Sequence, residues 1–190
     1  MTEKDIITLL EEDEEMMEIL RSVRSLHLPD CWVGGGVIRS RVWDYLHNYP
    51  TPTPIPDVDV VYFDNNDFTS DEIHSDSTKS EKNAEDSLRT MMPHVAWEVV
   101  NQARMHVFHN RHPYHNSTEA MKDWVETATG IGARLLEDET IEIAAPWGIE
   151  DLTHCILRPV SSSPERMKEF YRRIEKKQWM TKWPKLKVIV

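Results

Sequence analysis

Cysteine is nearly absent from this 190-residue chain: Cys31 and Cys155 are the only two, and they form no Cys-x-x-Cys pair. That argues against a disulfide framework and fits a reducing, cytoplasmic setting. Long apolar runs are missing too; none approaches the ~18 residues that a membrane-spanning helix needs. The N-terminal stretch MTEKDIITLLEEDEEMMEIL is acidic and amphipathic, unlike the basic-then-apolar order of a secretory signal. Glycine is scarce at six residues, which makes the consecutive Gly34, Gly35 and Gly36 conspicuous. Positive charge is in deficit, with 22 Lys and Arg against 33 Asp and Glu. An acidic body of formal charge −11 does not support nucleic acid as a general partner, although a local basic contact stays open.

What is present suits a folded protein. Hydrophobic residues at 39% and charged residues at 29% allow both a core and a solvated surface. The length predicts one domain over 1–160, with a C-terminal basic helix and tail at 161–190 packed on it. The positive charge gathers at that end. Residues 158–190 hold ten Lys and Arg against three Glu, about +7, which leaves about −18 on the rest. Such a segment could contact phosphates, but a solvated helix face that offsets the acidic body is the simpler expectation.

Hydrophobic spacing predicts the order of elements. Ile6, Ile7, Leu9, Leu10, Met16, Met17, Ile19, Leu20 and Val23 recur at roughly helical intervals, giving one or two amphipathic helices before Pro29. Cys31-Trp32-Val33 is a short strand, the glycine triplet a turn, and 37–47 a helix with Val37, Ile38, Val42, Trp43 and Leu46 on a broad stripe. Pro50, Pro52, Pro54 and Pro56 alternate in an extended loop. Residues 57–63 and 95–100 read as strands, with a polar helix before Pro93 as the crossover between them. The His-rich 101–118 stretch predicts no definite element. Residues 119–128 read as helix, 133–144 as a hairpin and 149–156 as a short helix. Ser161-Ser162-Ser163 before Pro164 marks a final helix, with Met167, Phe170, Tyr171 and Ile174 on its packing face.

The residues with chemical potential cluster on these elements. Asp57 and Asp59 stand two apart on an apolar strand, so both carboxylates share a face while Val58 and Val60 enter the core. Adjacent carboxylates repel unless a cation sits between them, and oxygen donors of this kind suit Mg²⁺. Alone, such a pair is weak, since strand-end aspartates often just face water. Gly34–Gly36 between strand and helix adds backbone N–H groups and a positive helix end able to hold phosphate oxygens. Arg39, one turn on, is placed either to reach a phosphate or to sit as a surface arginine. Glu98 on the strand VAWEVV needs a partner, for which a shared metal and Arg104 are the candidates. His106, His109, His112 and His115 recur every three residues, but Pro113 breaks a continuous helix, so only adventitious metal binding is expected. The seven tryptophans read as packing residues, with Trp147, beside a glycine, the one most suited to stacking.

The stretch VGGGVIRSRVWDYLHN followed by DVDVVYFD resembles the opening motif of the DNA polymerase beta nucleotidyltransferase superfamily. A second stretch, IEIAAPWGIEDLTHCILRPV, is similar to the segment closing the head domain of bacterial CCA-adding enzymes, through Pro146, Gly148, Glu150, Asp151, Leu152, Leu157 and Arg158. Over nearly its full length, including VWD at 42–44, WEVVNQARMH at 97–106 and the closing Trp-Pro, the chain resembles a family of small stand-alone bacterial nucleotidyltransferase-like proteins. The resemblance implies an α+β, polymerase beta palm-like fold, a mixed sheet with helices packed mainly on one side. It implies transfer of a nucleoside monophosphate from an NTP to a hydroxyl acceptor, with two Mg²⁺ ions. Asp57, Asp59 and Glu98 would be the catalytic and metal-binding carboxylates, Gly35 and Gly36 the triphosphate-holding pair, and Arg39 the helix arginine.

Three departures qualify it. The gap between Gly36 and Asp57 is long, with the proline loop as the insertion. Where CCA-adding enzymes carry Arg-Arg-Asp, this chain reads Val125-Glu126-Thr127-Ala128-Thr129, which removes an arginine contribution to NTP binding. The sequence stops at Val190, so CCA addition itself is not expected. A non-catalytic module of the same fold, binding nucleotides or a protein, is the alternative. An RNA-binding module using the basic C-terminal helix is a third reading, opposed by the acidic body.

Overall fold

The computed structural model describes residues 1–109 and 111–190. Helices α1 (Glu3–Glu11) and α2 (Glu14–Arg24) open the chain. Each starts on a side-chain cap: Thr2 accepts from the Asp5 N–H within a capping box, and Asp13 accepts from the Met16 N–H. Then follow β1 (Trp32–Gly34), α3 (Gly36–Leu46), β2 (Val58–Tyr62), α4 (Lys79–Met91), β3 (Trp97–Asn101), α5 (Met105–His109) and α6 (Ser117–Met121). The hairpin β4 (Gly132–Leu135) and β5 (Ile141–Ala144) precedes α7 (Glu150–Thr153), β6 (Ile156–Leu157), α8 (Pro164–Lys177), α9 (Trp179–Lys182) and β7 (Lys187–Val188).

Five strands form one mixed sheet in the order β3-β2-β1-β4-β5. Only β2 and β3 run parallel, joined through α4, as the crossover expectation required; the other neighbours are antiparallel. Val33, Val58, Val60, Trp97, Val99 and Ala133 turn one face of the sheet toward the main core, shared with Leu10, Leu20, Ile38 and Val42 of α1–α3. The opposite face carries a smaller cluster of Trp32, Val61, Met121 and Ala144, with Trp124 against it. The helices thus pack mainly on one side, and the α+β class holds.

The last thirty residues contribute Phe170, Trp179, Trp183 and Leu186 to that same main core. Trp43 of α3 meets Trp179 and Trp183 edge-on, with ring centroids 6.1 and 5.2 Å away. Strand β7 lies parallel to β6, closing the C-terminal end onto α7.

Two local expectations need correction. The helix foreseen over 119–128 is only α6; Glu126 is extended, at φ −118° and ψ 142°, and a single 3-10 turn follows at Thr127–Thr129. The Glu126 backbone pairs with Pro159, and its buried carboxylate meets Arg173 2.8 Å away, so tertiary partners override local helix preference. Tyr171 is 49% exposed, because the inward stripe of α8 is centred on fully buried Phe170. In the 101–118 stretch, Asn101 caps a 3-10 turn that runs into α5, and Asn116 caps α6.

Candidate active site

Strand β1 delivers the glycine turn to the start of α3. Gly35 has φ +38°, a left-handed conformation that side chains resist. A Cβ at Gly34 would lie 2.6 Å from the Trp124 ring, and one at Gly35 2.7 Å from it. Gly36 instead faces Asp59, whose Oδ2 is 3.8 Å from where its Cβ would be. Gly35 donates its N–H to the Ile131 carbonyl at 2.8 Å. With its N–H engaged by Ile131, Gly35 makes the turn and admits Trp124, while Gly36 is the glycine that opens toward the acids.

Those acids come from the central parallel pair. Asp57 immediately precedes β2, Asp59 lies within it, and Glu98 of β3 is the register partner of Asp59. All three line one cavity of about 260 Å³. None makes an ion pair or a side-chain hydrogen bond among the described residues. Burial, followed by the charges of Asp57 and Glu98, pushes the Asp59 carboxyl from 3.8 to about 6. Burial, then Asp57 and Glu85, pushes Glu98 up as well. Arg104, the alternative partner for Glu98, is taken: its Nε and Nη2 donate to buried Glu81 at 3.0 and 2.8 Å. Among the described residues no group of three or more Asp, Glu, His or Cys side chains is placed to hold a metal ion, the three acids of this cavity included. The histidines do not form one either. His106 bonds the Ala103 carbonyl, His109 the Tyr114 hydroxyl and His115 the Glu119 carboxylate, each separately.

Arg39 enters the same cavity from α3 at 5% exposure. Its Nη1 donates to Thr129 Oγ1 at 2.9 Å, and its guanidinium stacks 4.5 Å from the Trp179 ring and 5.1 Å from the Trp43 ring. No carboxylate pairs with it among the described residues, and its buried Nε has no partner. Burial, partly countered by Glu126, lowers its pKa to about 10, so it stays cationic at neutral pH.

Sequence reasoning missed the opposite wall. Arg173 and Lys177 of α8 and Lys182 of α9 line the cavity, although the basic segment was expected to be a solvated face. The segment's +7 was the available signal; what it could not reveal is that Arg173 and Lys177, one turn apart, point inward while Arg172 and Lys176 are exposed. Trp179 and Trp183 also line it, whereas Trp147 donates its Nε1–H to the Lys122 carbonyl away from the cavity. The proline loop forms the rim. Asp44 holds it by accepting from the Thr53 N–H at 2.7 Å and the Thr53 hydroxyl at 2.6 Å, and ties it to α9 by accepting from Trp183 Nε1 at 2.7 Å. On the other side of Asp59 and Glu98 lies a second cavity of about 330 Å³, lined by Met105, His109, Trp124 and Arg166 and again by Arg173. The acids therefore stand between a cationic cavity and a more apolar one.

Comparison with known proteins bears on the fold and the family. A solution NMR structure described as revealing a CCA-adding enzyme head domain is 31% identical, covering 99% of this chain and 96% of that one, at a TM-score of 0.82. The Thermotoga maritima CCA-adding enzyme complexed with tRNA shares the fold at 11% identity and a TM-score of 0.58. A CCA-adding enzyme in complex with CTP does so at 11% identity and 0.59. The chain covers 97% of itself in each but spans only 42% and 43% of those two enzymes. No curated protein matches the chain. No helix among the described residues is long and apolar enough to cross a membrane. A family model described as nucleotidyltransferase matches residues 21–188, and by that match, with the full-length likeness to the head domain, the chain belongs to the nucleotidyltransferase family.

Proposed function

We propose that this protein transfers a nucleoside monophosphate from an NTP to a hydroxyl acceptor, using Mg²⁺ held by Asp57, Asp59 and Glu98. The observation that carries this reading is that Asp57, just before β2, Asp59 of β2 and Glu98 of β3, unpaired among the described residues, line one cavity with four cations. Carboxylate oxygens suit a hard ion that keeps water and phosphate oxygens in its shell, so the acids would complete their site only with the nucleotide bound. Burial beside Asp57 and Glu98 raises the Asp59 carboxyl to about 6, and a cation shared by these acids would favour its charged form. When bound, magnesium would make the acceptor hydroxyl more acidic and offset charge on the triphosphate.

The chain's own groups do the rest. Gly36 at the start of α3 lets a phosphate approach the backbone beside Asp59, near the positive end of the helix. Arg39, stacked against two tryptophan rings and with no carboxylate partner among the described residues, contributes a positive charge for phosphate oxygens. The acceptor oxygen bonds to the α-phosphorus, the bond from that phosphorus to the bridging oxygen breaks, and its electron pair leaves with pyrophosphate. The hydroxyl proton passes to solvent. The more apolar cavity beyond Asp59 and Glu98 is the place available to the acceptor.

Incubation with each α-labelled NTP, Mg²⁺ and cell extract tests the reading. Label should pass to an acceptor with the wild-type chain and fail to do so with Asp57→Ala or Asp59→Ala. NTP binding without transfer to any acceptor would instead support the non-catalytic module.

A further inference from the structure

We propose that Lys177 of the C-terminal helix α8 binds the β- and γ-phosphates of the incoming nucleotide and stabilises pyrophosphate as it leaves. This rests on the nucleotidyl-transfer reading above and adds a residue to it. Four cations line the cavity, and they are not equivalent. Arg173 is committed: it donates to both oxygens of Glu126, at 2.8 and 3.3 Å, and Glu126 is fully buried. Lys182 is exposed, and its carbonyl accepts from Tyr49, fixing the backbone of α9 rather than aiming its amine. Arg39 is stacked and hydrogen-bonded into place.

Lys177 differs from all three. It is half-buried, it lines the cavity, and it has no ion pair among the described residues. It shares one cavity with Asp59 and Glu98 and pairs with neither among the described residues. A cation facing three carboxylates across a cavity at more than contact distance is positioned for an anion that bridges the gap with its own bound cation. A triphosphate with magnesium has that character; the acids alone would otherwise draw the flexible lysine to themselves. A second observation points the same way: Arg39 Nε, on a residue 5% exposed in the same cavity, has no partner. Arg39 and Lys177 thus bring two cations from different elements to one volume. Glu126 anchors α8 through Arg173. That anchor brings Lys177, one turn further along the same helix face, into the cavity.

Calorimetric titration with Mg²⁺ and ATP, pyrophosphate or AMP tests this on Lys177→Ala, Lys177→Arg and the control Lys176→Ala, whose side chain is exposed on the same helix. Lys177→Ala should weaken ATP and pyrophosphate by about tenfold or more, the loss expected for a hydrogen bond to a charged group, and leave AMP unchanged. Lys177→Arg should restore much of the loss, and Lys176→Ala should bind like wild type. Thermal melting of each variant should superimpose on wild type, since Lys177 has no structural partner. If wild type binds Mg-pyrophosphate and Lys177→Ala binds it equally well, the role of Lys177 is overturned while the transfer reading stands. If wild type binds neither ATP nor pyrophosphate, both fall together.

Discussion

Asp59→Asn should make the protein more stable at alkaline pH while abolishing transfer. Asp59 is half-buried, unpaired, and flanked by Asp57 and Glu98. Its pKa of about 6 lies above the unfolded value of 3.8, so the folded state holds the proton more tightly than the unfolded chain does. Below about pH 4 the group is protonated in both states and costs nothing. Stability then falls as pH rises towards 6, and above that the full penalty is present. At ~1.4 kcal/mol per tenfold change in proton affinity, the penalty is at most ~3 kcal/mol, and partial exposure reduces it to about 1–2 kcal/mol. An amide of the same shape carries none of it. Urea titration in EDTA should therefore show Asp59→Asn gaining about 1–2 kcal/mol at pH 8, with the gain vanishing near pH 4. Magnesium should raise the wild-type midpoint and leave the variant's unchanged. A variant that is less stable than wild type at pH 8, or whose gain does not depend on pH, would mean that Asp59 has a compensating partner, and the reasoning would be refuted.

Two further outcomes follow from the framework around the site. Glu81 and Arg104 form a fully buried pair under the β2–α4–β3 crossover, with Glu81 also accepting from the Asn101 and Thr78 N–H groups. Glu81→Ala strands the Arg104 charge and should cost about 3–5 kcal/mol by chemical denaturation, with Glu81→Gln milder. Asp44→Ala deletes the three bonds that join α3, the proline loop and α9. It should cost about 2–4 kcal/mol, and proteolysis at the 50–56 loop should accelerate.

The elements that carry the carboxylates were the most legible part of the chain. A strand of alternating Asp and Val in DVDVVYF specifies both the strand and which face its acids take, because a period of two leaves no freedom. Trp97 and Val99 fix the facing of Glu98 in the same way, and five paired positions bring β2 and β3 into register. The glycine triplet was legible as a turn but not by role. Whether Gly35 gives its N–H to a ligand or to Ile131 depends on a strand almost a hundred residues later. The C-terminal helix was visible from Ser163 and Pro164, while the direction of Arg173 and Lys177 was not. That direction is set by Glu126, whose burial cannot be read from a segment that looks helical by local pattern. The same tertiary tie explains why the 119–128 helix is short.

The central claim is that Asp57 and Asp59 hold an ion beside Gly36 and Arg39, with the nucleotide between them and α8. A crystal structure with magnesium and a non-hydrolysable ATP analogue tests it most directly. The account predicts a metal about 2.0–2.1 Å from oxygens of Asp57 and Asp59, and β- and γ-phosphates within hydrogen-bond reach of Arg39 and Lys177. An analogue bound away from this cavity, or seated in it with both aspartates turned from the metal, would contradict it.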